Sequence, residues 1–288
     1  MLDRLKDLKG RVTIHSLLIL LVSALIYFSV FTLSKILILL VVIGFTYIAH
    51  FEFSHFAALK GVRYNLRASL PFIILWPSFV LFWIMGYPVV GSMIVLSYFT
   101  ILLFTILSFD KIQDSLHTVS FQVFAHLYIT LPISLILGVL FIDALGVAND
   151  GRFWLAYLIC VVKGADVGGY FFGSLFGKRP LAPMISPKKT VEGLFGALGV
   201  SIVVSLAFYG VGKYCPPGLF SIGFVEALIL GVFFSGISVL GDLVESLFKR
   251  DAKLKNSSSI PAVGGVLDII DSLIFAAPFL FGYLLLFR

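Results

Sequence analysis

The stretch GDLVESLFKRDAKLKNSSSIPAVGGVLDIIDS, residues 241–272, concentrates charge in a chain that is otherwise apolar. It holds the carboxylates Asp242, Glu245, Asp251, Asp268 and Asp271 and the cations Lys249, Arg250, Lys253 and Lys255. The apolar runs on either side read as helices, with 249–263 as the loop between them. All the carboxylates but Asp251 then lie inside or at the ends of hydrophobic helices, where ionisable groups are costly and mark functional sites by default. Asp242, Glu245, Ser246 and Lys249 stand at i, i+3, i+4 and i+7. That spacing puts them on one helix face over about 10 Å. Asp268 and Asp271 stand at i, i+3 on the next helix, with Ser272 beside them. If the two helices are antiparallel neighbours, the acid pairs face each other and repel unless a cation sits between them. Oxygen donors without Cys or His select Mg²⁺ or a similar hard ion, one or two of them. Divalent cations held by carboxylates beside Lys and Arg serve phosphoryl and nucleotidyl transfer. The competing readings are a structural salt-bridge network and an ion pathway.

Composition sets the surroundings of this stretch. The 288 residues are 60% hydrophobic and only 12% charged, with mean hydropathy +1.08. A soluble domain carries roughly 25% charged residues. The chain is therefore an all-α polytopic membrane protein. Apolar runs of about 20 residues predict nine spans, near 12–32, 34–54, 69–86, 88–108, 116–142, 152–174, 190–212, 221–248 and 264–286. Alternating the connections from a cytoplasmic N-terminus puts sixteen of the 21 Lys and Arg inside: Arg4 to Arg11, Lys60 to Arg67, Lys111, Lys178 to Lys189, and Lys249 to Lys255. Lys35, Arg152, Lys213 and Arg288 fall outside and Lys163 within a span. The positive-inside rule thus favours N-inside, C-outside and an odd number of helices. MLDRLKDLKGR reads as a short charged head, with no cleavable signal evident after it. Cys160 and Cys215 form neither a disulfide framework nor a metal spacing. The five histidines form no ligand motif; His50 and His55 with Glu52 read as interfacial polar residues at a helix end.

Residues 1–115 read as packing and lipid-facing helices, and 116–288 as the helices that carry the chemistry. No internal repeat of the transporter kind is visible. In KGADVGGYFFGSLFGKRPLAPMISPKKTVEG, residues 163–193, Lys163 and Asp166 share one helical face. Gly164, Gly168, Gly169 and Gly173 keep that helix thin for a partner helix or a ligand. A proline-punctuated cytoplasmic loop follows, with Pro187 favouring a turn or helix start. Ser186, Lys188, Lys189 and Thr190 then suit a phosphate-binding helix entrance, although the lysines also suit simple positive-inside anchoring. Glu192 is placed to complement a helix N-terminus.

These two blocks together resemble the phosphatidate cytidylyltransferases (CDP-diacylglycerol synthases). That family's signature is roughly S-x-x-K-R-x4-K-D, a short spacer, then P-x-H-G-G-x-x-D-R-x-D. Ser246, Lys249, Arg250, Lys255, Pro261, Gly264, Gly265, Asp268 and Asp271 match it in order, and Gly241, Asp242 and Glu245 fit the G-D-L-x-E-S before it. The upstream block resembles G-A-D-x-G-A-Y…F-G-K…L-A-P…S-P-x-K-T-x-E-G from Gly164 to Gly193. Asn256, Val263 and Ile269 stand where the family has Asp, His and Arg, and the spacer before Pro261 is one residue short. The resemblance implies that CTP and phosphatidate give CDP-diacylglycerol and pyrophosphate in a multi-pass cell inner (cytoplasmic) membrane protein with no nucleic-acid partner. It implies that Asp242, Asp268 and Asp271 hold one or two cations, Mg²⁺ foremost, with Glu245 adjacent. Lys249, Arg250 and Lys255 would take the triphosphate or the lipid head group, and Ser186, Lys188 and Lys189 would close the site. Ser246, Asn256, Gly264 and Gly265 would touch substrate, with Lys163 and Asp166 as further polar contacts. Glycine-rich helices are compatible with a homodimer. The alternatives are a CDP-alcohol phosphotransferase, whose D-G-x2-A-R element is missing here, and an ion-coupled transporter.

Overall fold

The computed structural model describes residues 23–109, 113–146, 150–254 and 265–288. Apolar runs become helices because hydrocarbon offers no water, so each segment must satisfy its own backbone N–H and C=O groups. Eight helices follow in order: α1 (Thr32–Leu59), α2 (Leu66–Ile84), α3 (Val90–Ile106), α4 (Ser115–Leu140), α5 (Gly151–Phe176), α6 (Val191–Tyr214), α7 (Phe224–Asp251) and α8 (Val266–Phe287). Seven are long and apolar enough to cross a membrane, and α3 is a shorter apolar helix of 17 residues. Among the described residues these correspond to eight of the nine expected spans. The first, 12–32, lies largely outside the described residues. Helix α4 carries a π turn at His126–Thr130.

Local chemistry fixes several helix starts. The Asn65 side chain accepts the N–H of Ala68 at 3.1 Å, Asp150 that of Arg152 at 2.9 Å, and Thr190 Oγ1 that of Gly193 at 3.1 Å. Caps of this kind contribute about 1 kcal/mol each. One element departs from expectation. The segment expected to be a loop leading into a helix entrance forms an antiparallel hairpin, β1 (Pro180–Ala182) and β2 (Ser186–Thr190). Pro180 pairs with Thr190 and Ala182 with Ser186. Ser186, Lys188 and Lys189 therefore lie on a strand, and the helix begins only after Thr190. Strands this short, carrying Pro180 and Pro187, leave no alternation of apolar and polar residues to read.

The described residues fall into two compact units. The first takes those within Met1–Leu81, Pro88–Ser134 and Leu254–Ile269. Phe72, Leu96 and Phe104 form an apolar cluster in it. Beside Phe72 and Phe104 lies a polar knot. The Thr130 hydroxyl meets His50 Nε2 at 2.7 Å and His126 Nδ1 at 3.1 Å, and His50 Nδ1 meets the Tyr64 hydroxyl. His50 and Glu52 are 0% and 1% exposed, so the reading of both as interfacial does not hold; only His55 faces outward. Their burial is set by long-range partners, which a local reading of AHFEFSH does not contain.

The second unit takes the residues within Phe82–Tyr87, Leu135–Lys253 and Ile270–Arg288. Helices α5, α6 and α7 pack together in it around Trp154, Tyr157, Phe220 and Phe234. Buried hydroxyls tie the three. Tyr157 meets Ser205 at 2.8 Å, Ser205 donates to the Ala227 carbonyl at 2.6 Å, and Ser201 donates to that of Val161 at 3.0 Å. Helices α5 and α6 cross at glycines. A Cβ on Gly168 would lie 2.5 Å from the Gly196 carbonyl oxygen, and one on Gly196 would collide with Phe172. Small residues admit this close approach where water supplies no hydrophobic drive between helices.

Candidate active site

Asp242 and Glu245 stand one turn apart on α7, and Asp271 stands on α8. Gly241 brings the two helices together there. A Cβ on it would lie 2.8 Å from the Asp271 carbonyl oxygen and 3.1 Å from Ser272 Cα. One carboxylate oxygen from each of Asp242, Glu245 and Asp271 then lies within 4.8 Å of the others. Glu245 and Asp271 are 2% and 5% exposed, so water does little to screen their repulsion.

Ammonium groups surround these acids. Lys189 Nζ on β2 lies 2.6 Å from Asp242, and Lys249 Nζ lies 2.5 Å from Glu245 one turn along α7. Lys163 on α5 meets Asp166 at 3.1 Å and donates to Ser272 Oγ at 3.2 Å. The other Asp166 oxygen accepts from Ser238 at 3.0 Å. Asp271 also accepts the N–H of Ser272 at 2.6 Å. The hairpin is fastened to the same place. Arg250 Nε donates to the Ile185 carbonyl at 3.1 Å, and Glu192 accepts the N–H groups of Lys178 and Arg179 at 3.0 and 3.2 Å.

A cavity of about 420 Å³ opens beside the acids. Asp166, Asp242, Lys188 and Lys189 bring charge to its lining, and Leu181, Leu194, Ala197 and Val239 bring apolar surface. Gly169, Gly173 and Gly193 also border it. Of the glycines in the 163–193 block, Gly168 serves the helix crossing, and Gly169 and Gly173 both face α6 and border the cavity. A lining that mixes charged and apolar residues suits an amphiphile whose head is anionic.

The donor set fits a hard divalent cation. An octahedral shell of ~2.1 Å radius spaces its oxygens about 3–4 Å apart, close to the spread of the three carboxylates. No sulfur or nitrogen donor competes in this group.

The structure thus brings together Lys163, Asp166, Lys189, Asp242, Glu245, Lys249 and Asp271, with Lys188 and Arg250 at the hairpin. Ser186 is half-buried on β2, and Ser246 half-buried on α7. Asp268 and Gly265 belong to the first unit, where Asp268 accepts the Gly265 N–H at 3.3 Å. Lys255, Asn256 and Gly264 lie outside the described residues. Sequence reasoning missed Ser238, although it stands four residues before Asp242 and so on the same helical face.

The model of the cytidylyltransferase family matches residues 9–287. The chain is 34% identical to the phosphatidate cytidylyltransferase of Chlamydia pneumoniae over 97% of this chain and 92% of that one. It is 48% identical to the Haemophilus influenzae protein of the same name over 48% of this chain and 47% of that one. It is 38% identical to the Bacillus subtilis one over 51% and 53%. These matches give no support to the phosphotransferase or transporter alternatives. The acids and lysines of the site thus stand in a chain that belongs to the cytidylyltransferase family.

Proposed function

We propose that this site transfers a cytidylyl group from CTP to phosphatidate, giving CDP-diacylglycerol and pyrophosphate. One observation carries the reading: three carboxylates within 4.8 Å of one another, answered by lysines on neighbouring elements. The cavity, lined by both charged and apolar residues, supports a lipid phosphate as the acceptor. A phosphate oxygen of phosphatidate forms a bond to the α-phosphorus of CTP. The bond from that phosphorus to the bridging oxygen of the β-phosphate breaks, and pyrophosphate leaves. The attacking oxygen is already anionic at neutral pH, so no side chain has to remove a proton. The protein's work is alignment and charge neutralisation.

Asp242, Glu245 and Asp271 are the residues that would hold Mg²⁺, singly or as a pair of ions. A bound divalent cation neutralises phosphate oxygens and steadies the leaving pyrophosphate. Lys188, Lys189, Lys249 and Arg250, with Lys255, draw in the phosphates. Lys189 and Lys249 are paired with Asp242 and Glu245; a triphosphate offers them more negative charge and releases those carboxylates to the cation. Ser238 and Lys163 orient Asp166, and Ser186, Ser246 and Asp166 border the substrates. The site sits at the cytoplasmic side of a multi-pass inner membrane, with acyl chains reaching it from the bilayer and CTP from the cytoplasm.

The test uses purified protein in detergent with labelled CTP, phosphatidate and Mg²⁺. A lipid-soluble labelled product that disappears with a chelator is expected. A label that stays water-soluble overturns the reading, and near-normal turnover in Asp271→Asn overturns the ligand assignment.

A further inference from the structure

The first unit has a cavity of its own, of about 540 Å³, where α1 and α3 end and α2 and α4 begin. Small-molecule sites run to roughly 300–1,000 Å³. With α1 to α4 crossing in turn, the α1–α2 and α3–α4 connections fall on one face of the membrane, at the level of lipid phosphates. The first connection is built rather than slack. Gly61 takes φ +70°, and the Val62 N–H returns to the Ala57 carbonyl at 2.9 Å, a common glycine closure of a helix. Arg63 follows, and Arg67 lies in the first turn of α2. Both border the cavity, and neither has an ion-pair partner among the described residues. A cation in a helix's first turn opposes the helix dipole, and neither α2 nor α4 has an acid in its first turn to offset it. An anion bound there would relieve Arg67 and meet two helix starts at once.

A buried side chain in the lining points the same way. Gln122 is 3% exposed, and its Oε1 has no hydrogen-bond partner among the described residues. A buried acceptor left unanswered is costly, and the amide turns about its last bond at little cost, so a ligand can be offered its oxygen or its N–H. Tyr64, also in the lining, is held in place: its hydroxyl meets His50 Nδ1 and accepts from Ser69 at 3.4 Å. Asp114 is the lining's one acid, so two guanidinium groups stand against one carboxylate. That balance favours a net anion over a zwitterion. The acceptors Asp114 and Gln122 call for a ligand that also carries hydroxyls. We propose that this cavity binds a hydroxyl-bearing phosphate ester, with Arg63 and Arg67 taking the phosphate and Gln122 a hydroxyl. None of its lining residues belongs to the acid cluster, and the proposal goes beyond the cytidylyl transfer. Phosphatidylglycerol and free glycerol phosphate share this chemistry.

The experiment uses the purified full-length protein in detergent. Native mass spectrometry reads binding of phosphatidylglycerol against phosphatidylcholine, and equilibrium dialysis reads labelled glycerol 3-phosphate. The variants are Arg63→Gln with Arg67→Gln, Gln122→Leu, and Lys189→Gln as a control in the cavity beside the acid cluster. The double arginine variant is expected to bind at least tenfold more weakly, having lost two charge-assisted contacts. Gln122→Leu is expected to bind about 2–10-fold more weakly, yet to melt no lower than the wild type, since it removes an unanswered buried acceptor. A merely structural glutamine would lower both. Lys189→Gln should bind as the wild type does. Phosphatidylglycerol bound without glycerol 3-phosphate identifies a lipid head group as the ligand; the reverse identifies a soluble ester; either supports the site. Binding of neither overturns the proposal, as does phosphatidylcholine bound as tightly as phosphatidylglycerol. Undiminished binding in the double arginine variant overturns it too, and if Lys189→Gln then loses the lipid, the lipid belongs to the other cavity. Wild-type affinity in Gln122→Leu overturns the hydroxyl assignment.

Discussion

Two polar clusters, one in each unit, are built in opposite ways. In the first, His50, Tyr64, His126 and Thr130 form a closed knot, one hydroxyl answering two imidazoles. In the second, charges of both signs line an open cavity or stand beside it, and the proposed chemistry would split Lys189 from Asp242 and Lys249 from Glu245. A knot of neutral groups holds shape and loses stability when cut. A set of exchangeable charges does little for shape, since removing charges from water offsets much of their attraction. Its loss should show in chemistry instead.

Mutations can break this contrast or sharpen it. Asp271→Asn removes one of three gathered acids and should lower CDP-diacylglycerol formation by 10²-fold or more, on the order of losing a key electrostatic group in other enzymes. Its melting temperature should stay near that of the wild type, and a collapse of both together would erase the distinction between the units. Gly196→Ala forces a Cβ against Phe172 and 2.8 Å from the Gly168 carbonyl oxygen. Overpacking of that sort costs about 1–3 kcal/mol, read as a lower melting temperature in detergent. Lys189→Gln leaves Asp242 without its 2.6 Å partner and should reduce kcat/KM for CTP by about tenfold, near 1.4 kcal/mol. The drop should shrink as salt is raised, because screening weakens the attraction lost. Smallest is Thr130→Val. The imidazoles of His50 and His126 lose their shared hydroxyl at a cost of about 1 kcal/mol, with KM for CTP unchanged. A shift in that KM would show that the knot is wired to the chemistry.

How much of this was legible depended on the range of the physics. Bilayer thickness fixes the length of an apolar run, so the spans from α1 to α8 could be read one at a time. Helical spacing placed Asp242 with Glu245 and Lys163 with Asp166 for the same reason, since a period of 3.6 is local. The 4.8 Å gathering with Asp271 depended on Gly241 admitting α8, which the acids alone do not say. The β1–β2 hairpin was invisible because proline-rich strands of three and five residues carry no alternation. Glu52 was misread because its long-range partners include the backbone N–H groups of Val266 and Leu267, and every residue but proline has such a group. No pattern of side chains announces that contact.

The hairpin also bears on how readily the site takes its ligand. Glu192 grips the chain as it enters, Thr190 caps α6 as it leaves, and Arg250 holds the turn through Ile185. A slack loop would lose conformational entropy on every binding event, about 1–2 kcal/mol for each backbone residue that becomes ordered. Here that ordering is complete once the protein has folded. On the proposed reading, Lys188 and Lys189 would meet a polyanion with only their own side-chain freedom left to lose, and their attraction would pass into affinity with little deduction.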